Sequence, residues 1–461
     1  MDTLESLHRF HPYCARFPSE VVEAAITQYT KPSDSVFDPF CGSGTTLVTS
    51  LAYKRKVIGT DIDILAGMLS EVKCAPCAPE RYAKWRKKFS ASLAKAFAEI
   101  VRAWKSSSPP RPGTTWFIGS LELHLPKFPE LNYWFPPQLI AALAAIAEVA
   151  HQCQEPHFRF SYCCHRCCPI AEVAHQCQEP HYERVALLSL SASIISKWPN
   201  TLSYAMDIDH TRPHRRVQRF TLDRAFKTYL NRLDRSLLCL GKLHEVSRDA
   251  GVLSSLSDFS GVIYPHDARE PLTVIQDESQ ALIMTSPPYF DAVDYPRAHR
   301  MSVCWMNGYA PADLASRRHY IGLRRAAEFA VDDWLQSRPT IRSLLPRPIL
   351  EHVSLGKRLC TFFADLEIVL RQMWRVLRPG GHVVFVIANN VIKGHRIESH
   401  AVFTESAKSI GFVEIETKPR TIASPRRRFP VGPFGFDGPM THEYLVVLRK
   451  PCRQLAFGPG R

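Results

Sequence analysis

Seven short apolar runs along the chain predict the strands of one β-sheet. They cover residues 36–38, 56–61, 261–268, 281–284, 382–387, 412–415 and 443–448. Apolar positions at helical spacing lie before or between several of these runs, at residues 19–29, 47–51, 64–72 and 361–376. Strands that alternate with helices in this way predict an α/β fold with a mostly parallel sheet.

The alternation stops between about residues 80 and 255. This stretch has a mostly helical pattern, which is interrupted by proline-rich segments at residues 109–113 and 136–137. A segment of this length between the second and third strands predicts a large insertion that forms a second lobe. Loops at the carboxyl ends of strands carry specificity in such folds, so we expect this lobe to contact the substrate.

The segment Thr-Ser-Pro-Pro-Tyr, residues 285–289, directly follows the apolar run 281–284. Two successive prolines end the strand and stiffen the backbone, so the Pro287 carbonyl points in a fixed direction. That carbonyl and the Ser286 hydroxyl can accept hydrogen bonds from an exocyclic amine, and Tyr289 offers a flat face on which a base can stack. The segment therefore predicts methylation of a nucleobase amine, although a Pro-Pro turn after a core strand has the same pattern.

A glycine-containing turn, residues 38–46, follows the first predicted strand. Its glycines allow the backbone to approach a ligand closely. Their spacing matches neither a dinucleotide-binding turn nor a Walker loop, which favours a ligand with an adenosine but no pyrophosphate. Asp61 ends the second strand, where a carboxylate can accept hydrogen bonds from both ribose hydroxyls.

Together, the turn at residues 38–46 and the segment Ser286–Tyr289 resemble the motifs of amino-group DNA methyltransferases that use S-adenosylmethionine. Residues 11–18 are similar to the family's segment that binds the methionine part of the cofactor. Residues 377–381 are similar to the family's segment that leads into the fifth strand. Ser-Pro-Pro-Tyr resembles the N4-cytosine branch, whereas N6-adenine enzymes more often have Asp first. The resemblance implies a Rossmann-like seven-stranded methyltransferase sheet that is mostly parallel and has a terminal antiparallel hairpin.

The resemblance also implies roles for individual residues. Ser286, Pro287, Pro288 and Tyr289 would be catalytic. The predicted cofactor-binding residues are His11, Tyr13, Arg16, Phe17, Asp38, Pro39, Phe40, Gly42, Gly44, Thr45, Asp61 and Asp267. Asp267 follows the third strand, where an acid would accept a hydrogen bond from the adenine amino group.

Composition and charge favour a nucleic-acid partner. The 461 residues carry a formal net charge of +14, which suggests a polyanionic partner, and we expect double-stranded DNA. The predicted DNA-binding residues follow the catalytic segment; they are Arg297, Arg300, Arg317, Arg318, Arg324 and Arg325. The chain has no apolar run long enough to span a membrane and begins with acids, so we expect a cytoplasmic, nucleoid-associated protein.

These observations divide the chain into five predicted segments. Residues 1–78, 258–300 and 359–461 would form the methyltransferase core, with the cofactor site in the first and the catalytic motif in the second. Residues 79–257 would be the helical, DNA-recognition insertion, and residues 301–358 a second DNA-contacting insertion.

Residues 146–157 recur unchanged as residues 170–181. Twelve identical residues at an offset of 24 indicate a recent tandem duplication, because a solenoid would need at least about three diverged repeats. The duplicated segment, residues 158–181, contains Cys163, Cys164, Cys167 and Cys168. Zinc ligands are usually paired at longer spacing, and vicinal cysteines fit a tetrahedral site poorly, so we predict no metal site.

The sequence predicts an N4-cytosine DNA methyltransferase that flips its target base, with a separate cognate restriction endonuclease as a candidate partner. An N6-adenine enzyme is the first alternative. A catalytically silent protein that binds cofactor and DNA is the second. An RNA amino-methyltransferase is disfavoured because the insertion carries no recognisable RNA-binding module, and a C5-cytosine enzyme would need a Pro-Cys-Gln motif that the chain lacks.

Overall fold

The computed structural model describes residues 8–13, 16, 18–104, 108–152, 180–196, 201–204, 220–249, 262–291, 293–306, 320–322, 330–421 and 442–452. The chain divides into two compact units. The helical unit comprises residues 1–14, 71–258 and 295–315, and the sheet unit comprises residues 15–70, 259–294 and 316–461. The predicted division into five functional segments stays a prediction.

The sheet unit is built on seven strands. They are β1 (Ser35–Asp38), β2 (Lys56–Asp61), β5 (Val262–Pro265), β6 (Gln280–Thr285), β7 (Leu377–Ala388), β10 (Val413–Thr421) and β11 (His442–Arg449). Their order in the sheet is β10, β11, β7, β6, β1, β2, β5. Strand β11 is antiparallel to its two neighbours, and the other pairs are parallel. This confirms the predicted α/β sheet with a terminal antiparallel hairpin.

Helices and a small hairpin complete the sheet unit. They are α1 (Ser19–Tyr29), α2 (Thr45–Ala52), α3 (Ile64–Cys74, which continues into the helical unit), α10 (Val331–Gln336), α11 (Pro339–Leu344), α12 (Arg347–Leu350), α13 (Val353–Val376), α14 (Ser399–Ile410) and the strands β8 (Asn390–Ile392) and β9 (His395–Ile397). Every residue of β6 is buried, as expected for a central parallel strand. Helix α13 begins eight residues before the helical pattern that predicts it.

Besides the short 3-10 helix His8–Phe10, the helical unit contains six α-helices and one hairpin among its described residues. They are α4 (Pro79–Ala103), β3 (Thr115–Ile118), β4 (Leu121–His124), α5 (Leu131–Trp134), α6 (Pro137–His151), α7 (Pro180–Ile194), α8 (Leu222–Asp249) and α9 (Tyr295–Val303). Helix α6 is buried on almost every side from Leu139 to Ile146, which makes it the centre of this unit's core. The hairpin of β3 and β4 is a feature that the helical pattern does not predict.

The duplicated sequence is divided between two neighbouring helices. Helix α6 ends at His151, inside the first copy, and α7 begins at Pro180, near the end of the second copy. Nδ1 of His151 lies 2.6 Å from Oε1 of Glu183 on α7, so the end of one helix lies beside the start of the next. Residues 158–179 lie outside the described residues.

Candidate active site

Three neighbouring strands of the sheet end at one edge with residues that the sequence predicts to be functional. Strand β1 ends at Asp38, β2 ends at Asp61, and β6 ends at Thr285, immediately before Ser286. The strand order β6, β1, β2 places these three ends side by side. Ligands in open α/β sheets bind outside the carboxyl ends of the strands, so this edge is the candidate active site.

The turn after β1 is shaped by its two glycines. Gly42 and Gly44 have φ angles of +50° and +79°, which residues with side chains adopt rarely. A Cβ atom at Gly44 would lie 2.8 Å from Oγ of Ser70. The hydroxyl of Ser70 donates a 2.9 Å hydrogen bond to the Gly42 carbonyl. The turn therefore follows a tightly fixed path in which larger residues would not fit.

Asp61 holds this turn and keeps capacity for a ligand. Its two carboxylate oxygens accept 2.8 Å hydrogen bonds from the backbone N–H groups of Gly42 and Asp63. Burial and the neighbouring charge of Asp63 raise the pKa of Asp61 to about 7. A carboxylate has about four lone-pair sites, so two remain on this half-buried side chain. These remaining sites fit the predicted bonds to ribose hydroxyls.

Asp38 is engaged by protein groups. It is buried, and its Oδ1 atom accepts hydrogen bonds from the Thr285 hydroxyl at 2.6 Å and the Phe40 N–H at 3.1 Å. Burial raises the pKa of Asp38 to about 6, even though these bonds lower it. Pro39 and Thr45 are also buried, whereas Phe40 is half-buried. The carboxylate thus fixes the turn in place beside the catalytic segment.

Asp267 is paired with a neighbouring cation. Arg269 Nη2 lies 2.6 Å from Oδ2 of Asp267, and the Arg269 N–H donates to Oδ1 at 3.0 Å. The same guanidinium donates to Asp365 at 3.0 Å. Burial raises the pKa of Asp267, but the hydrogen bonds from Arg269 hold it below its usual value. A bond from an adenine amine to Asp267 would have to be shared with Arg269.

The predicted catalytic segment, residues 285–289, contacts β7. The Ser286 hydroxyl donates to the Tyr289 hydroxyl at 3.3 Å, and Tyr289 donates in turn to the Val386 carbonyl over a long 3.5 Å. Pro287 is buried, whereas Ser286, Pro288 and Tyr289 are half-buried. Because Ser286 acts as the donor in this relay, lone pairs on its oxygen remain available to accept a bond from an amine.

Three residues that the sequence analysis does not identify make contacts around the site. Nδ2 of Asn390, the buried first residue of β8, donates to the Phe290 carbonyl at 2.6 Å. Arg358 on α13 lies 2.5 Å from Asp291. These two residues hold the chain just after the predicted catalytic segment, whereas the Tyr320 hydroxyl donates to Oδ2 of Asp63, after β2, at 3.3 Å. The position of Asn390 just beyond the carboxyl end of β7 is the one signal that could have identified it.

A short segment, residues 320–322, contacts both the chain after β2 and the chain after the predicted catalytic segment, all within the sheet unit. Tyr320 bonds to Asp63, two residues after Asp61. Gly322 accepts a 3.2 Å hydrogen bond from the Asp291 N–H, and its φ angle is +85°. A Cβ atom at Gly322 would lie 3.2 Å from the Tyr289 carbonyl. Glycine thus allows this segment to lie closely against the catalytic backbone.

The predicted N-terminal cofactor residues are divided between the units. His11 and Tyr13 are in the helical unit, and Arg16 is half-buried in the sheet unit. Nε2 of His11 lies 2.8 Å from the Ser191 hydroxyl, and burial holds the pKa of His11 well below its usual value. The Tyr13 ring lies 5.2 Å from the His299 ring. Phe17 lies outside the described residues, and a cofactor role for the other three stays a prediction.

Two of the predicted DNA-binding residues are described. Arg297 and Arg300 lie on α9 of the helical unit, and both are half-buried. Arg300 Nη2 lies 3.2 Å from Oε2 of Glu130, and the guanidinium stacks 5.4 Å from the Trp134 ring. Arg300 is therefore engaged inside this unit. Arg317, Arg318, Arg324 and Arg325 lie outside the described residues.

Two features of the described part of the chain bear on other classes of protein. Across these ranges, no group of His, Cys, Asp or Glu side chains could hold a metal ion. Cys163, Cys164, Cys167 and Cys168 are outside them. Within the same ranges, none of the helices has the length and apolar character needed to cross a bilayer.

Comparisons with known proteins support the predicted resemblance. The family model described as DNA methylase, of the N6/N4 type, matches residues 3–66. The type II methyltransferase M.MvaI of Kocuria varians is 22% identical over 472 aligned residues, which cover 97% of this chain and 92% of that protein. The orphan methyltransferase M.BamHII of Bacillus amyloliquefaciens is 43% identical over 60 residues, 13% of this chain and 22% of that one.

A solved structure also aligns with the chain. It is a SAM-dependent methyltransferase from Methanosarcina mazei, with 7% identity, a TM-score of 0.30, and coverage of 93% of this chain and 97% of that one. The fold assignment rests on the strand order described above. Over nearly its full length the sequence is similar to a type II methyltransferase, and residues 3–66 match the N6/N4 DNA methylase family.

Proposed function

We propose, from the premise of this similarity to amino-group DNA methyltransferases, that the chain methylates the N4 amine of cytosine in double-stranded DNA. The methyl donor would be S-adenosylmethionine. The observation that carries the proposal is the hydrogen bond from Thr285 to Asp38. It joins the catalytic segment directly to the turn that precedes α2, so both halves of the predicted site form one rigid structure.

The residues around the turn fit this cofactor. Asp61 has the free lone pairs that two ribose hydroxyls require, and its backbone bonds fix the direction of the carboxylate. The positive φ angles of Gly42 and Gly44 give the turn a backbone path that residues with side chains adopt rarely. The half-buried Gly42 has no side chain to cover the backbone beside Asp61. When bound, the cofactor supplies an electrophilic methyl group on its sulfonium.

The catalytic segment would orient the nucleophile. The Ser286 hydroxyl oxygen and the Pro287 carbonyl accept hydrogen bonds from the amine, which turns the nitrogen lone pair toward the methyl group. The nitrogen would take up the methyl group while the cofactor leaves as a neutral thioether, and the proton that the amine loses would pass to water. Alignment and preorganised acceptors account for the catalysis, and the chain needs no covalent intermediate.

A base in a duplex cannot reach such a pocket, so the target nucleotide must be flipped out of the helix. Flipping costs a few kcal/mol, and contacts between basic residues and phosphates can offset that cost. The half-buried Tyr289 would supply a stacking face for the extruded base. Serine as the first residue of the segment favours cytosine N4 over adenine N6.

Methylation of DNA with a tritium-labelled cofactor tests the proposal. After digestion to nucleosides, we expect the label in N4-methylcytosine. Label in N6-methyladenine would overturn the choice of base and support the alternative enzyme. Unlabelled DNA, together with measurable binding of cofactor and DNA by the same preparation, would support the silent binding protein. Sequencing of modified bases in an expressing host would then give the recognition sequence.

A further inference from the structure

Helix α4 of the helical unit has one strongly basic face. Its exposed cations are Arg81, Lys84, Lys87, Lys88 and Lys95. At 100° per residue these five side chains fall within about one third of the helix circumference. The buried side chains of the helix, from Tyr82 and Phe89 to Ile100, lie on the opposite side. We name the five cations the α4 basic stripe.

Between its ends, the α4 basic stripe lacks the acids that usually accompany lysines on a solvated helix. From Arg81 to Ala98 the helix contains no Asp or Glu, and its two acids, Glu80 and Glu99, lie near its two ends. Solvent-exposed helices typically alternate charges of opposite sign along a face. Across the part of the chain that the structure describes, Lys84, Lys87, Lys88 and Lys95 form no ion pair. Arg86, on another side of the same helix, does pair with Asp234, at 2.6 Å.

The stripe is also unfavourable for the helix that carries it. Cations at i and i+3 or i and i+4, such as Lys84 and Lys88, repel each other. Arg81 and Lys84 lie near the helix N-terminus, where the macrodipole disfavours positive charge. Glu80, one turn before Lys84, offsets this repulsion only in the first turn of the helix. The remaining charge of the stripe points to a partner that supplies further anions.

The surface between the cations of α4 would allow a partner to approach the helix closely. The other exposed residues on this side of the helix, Ala91, Ser92, Ala94 and Ala98, are small. The stripe from Arg81 to Lys95 is about 21 Å long, at 1.5 Å per residue over 14 residues. That length corresponds to about six base pairs at 3.4 Å each.

We infer that the α4 basic stripe binds the phosphate backbone of double-stranded DNA. The inference rests on the proposed function, since it takes duplex DNA as the substrate. The contacts are independent of sequence, because lysine and arginine on phosphates position a protein without reading bases. The stripe is thus a positioning surface for the duplex, separate from the residues of the candidate active site.

The test is the salt dependence of DNA binding by a triple variant, Lys84→Gln, Lys87→Gln and Lys88→Gln. Glutamine keeps the helix propensity of lysine and removes the charge. Each lost phosphate contact should reduce the slope of log Kd against log salt concentration by about 0.9. We expect the slope to fall by about 2 to 3, with unchanged melting temperature and cofactor affinity.

A second triple variant controls for net charge. It carries Lys31→Gln, Lys56→Gln and Lys127→Gln, at three exposed lysines outside α4. Lys31 lies shortly before β1, and Lys56 is the first residue of β2. Both lysines are therefore at the amino ends of the strands, opposite the carboxyl ends that carry the candidate site. This variant should keep the wild-type slope. An equal loss of slope in both variants would overturn the inference.

The remaining outcomes separate this inference from the proposed function. If the wild-type chain binds duplex DNA and the stripe variant binds with the same affinity and slope, the stripe is not a DNA surface and the proposed function stands. If the wild-type chain binds no duplex DNA, both fail. A loss of slope on duplex RNA with none on duplex DNA would assign the stripe to a different partner.

Discussion

The hydroxyl of Thr285 donates a 2.6 Å hydrogen bond to the buried carboxylate of Asp38, across 247 positions of sequence. Asp38 ends β1 and Thr285 ends β6, and the two strands are neighbours in the sheet. The Thr46 hydroxyl makes a second connection, to the Met284 carbonyl at 3.2 Å. The turn and the catalytic segment are therefore locked together before any ligand binds.

Replacement of Thr285 by Val should destabilise the sheet unit by about 1 to 3 kcal/mol, because a buried carboxylate loses a hydrogen-bond donor. The variant Thr285→Ser keeps the hydroxyl and should lose much less. Urea unfolding curves measure the difference between the two variants. Equal stabilities would show that this hydrogen bond contributes little.

Ser286→Ala and Pro287→Ala should abolish methyl transfer and leave cofactor binding nearly intact. The proposed contacts of both residues are with the target amine, and the described hydrogen bond of the Ser286 hydroxyl is with Tyr289 in the same segment. Calorimetric titration with the cofactor, beside a methylation assay, separates the two effects. A large loss of cofactor affinity in either variant would place the segment at the cofactor instead.

Asp61→Ala should do the opposite and weaken cofactor binding by about 2 to 4 kcal/mol, the value of two charge-assisted hydrogen bonds. Asp61 also holds the Gly42 backbone, so a melting curve must accompany the titration. The exposed acid Asp223, changed to Ala, is a suitable control. Unchanged affinity would exclude Asp61 as the ribose ligand, and Asp63 would become the candidate.

Cofactor affinity should fall as the pH is lowered below about 7. The pKa of Asp61 is raised to about 7, so the carboxylate is ionised above that pH and protonated below it. Because the ribose hydroxyls donate to the ionised form, the dissociation constant should rise toward tenfold per pH unit below the pKa. The variant Asp61→Asn should lack this dependence. A flat profile in the wild type would contradict the assignment.

The sequence predicts the sheet well because each of its strands coincides with a short apolar run. The central strand β6 is buried throughout, whereas no residue of the edge strand β10 is buried. The β3 and β4 hairpin escapes prediction, since its residues lie within a long helical pattern and pack on that unit's own core. The site is only partly predictable. Asp61 and Ser286 sit in local motifs, whereas Asn390 and Tyr320 act through contacts over 100 and 257 positions. His11 likewise contacts Ser191, 180 positions away.

Deletion of residues 158–181 should leave methylation and the melting temperature about unchanged. In the shortened chain, Pro156 and His157 replace Pro180 and His181 before Tyr182. Helices α6 and α7 would be joined by residues 152–155, a connection of ordinary length for packed helices. The 2.6 Å contact between Nδ1 of His151 and Oε1 of Glu183 shows that the helix ends already lie together.

Metal analysis of the intact chain complements the deletion, and we expect no stoichiometric zinc. A variant with Ser at Cys163, Cys164, Cys167 and Cys168 should then melt like the wild type. One bound zinc per chain, with a fall of many degrees in melting temperature on deletion, would contradict the duplication. A structural zinc site contributes to folding directly, so the two outcomes are well separated.

The division of the repeat between α6 and α7 also makes the duplication reversible at the level of the gene. Any in-frame loss of 24 residues that starts between residues 146 and 158 gives the same shorter protein. If the DNA sequences that encode the two copies are as similar as the copies themselves, recombination between them can remove one copy and leave the rest of the protein sequence unchanged. A culture that expresses the long form would accumulate the short one, and the intact mass of the purified protein would reveal the mixture.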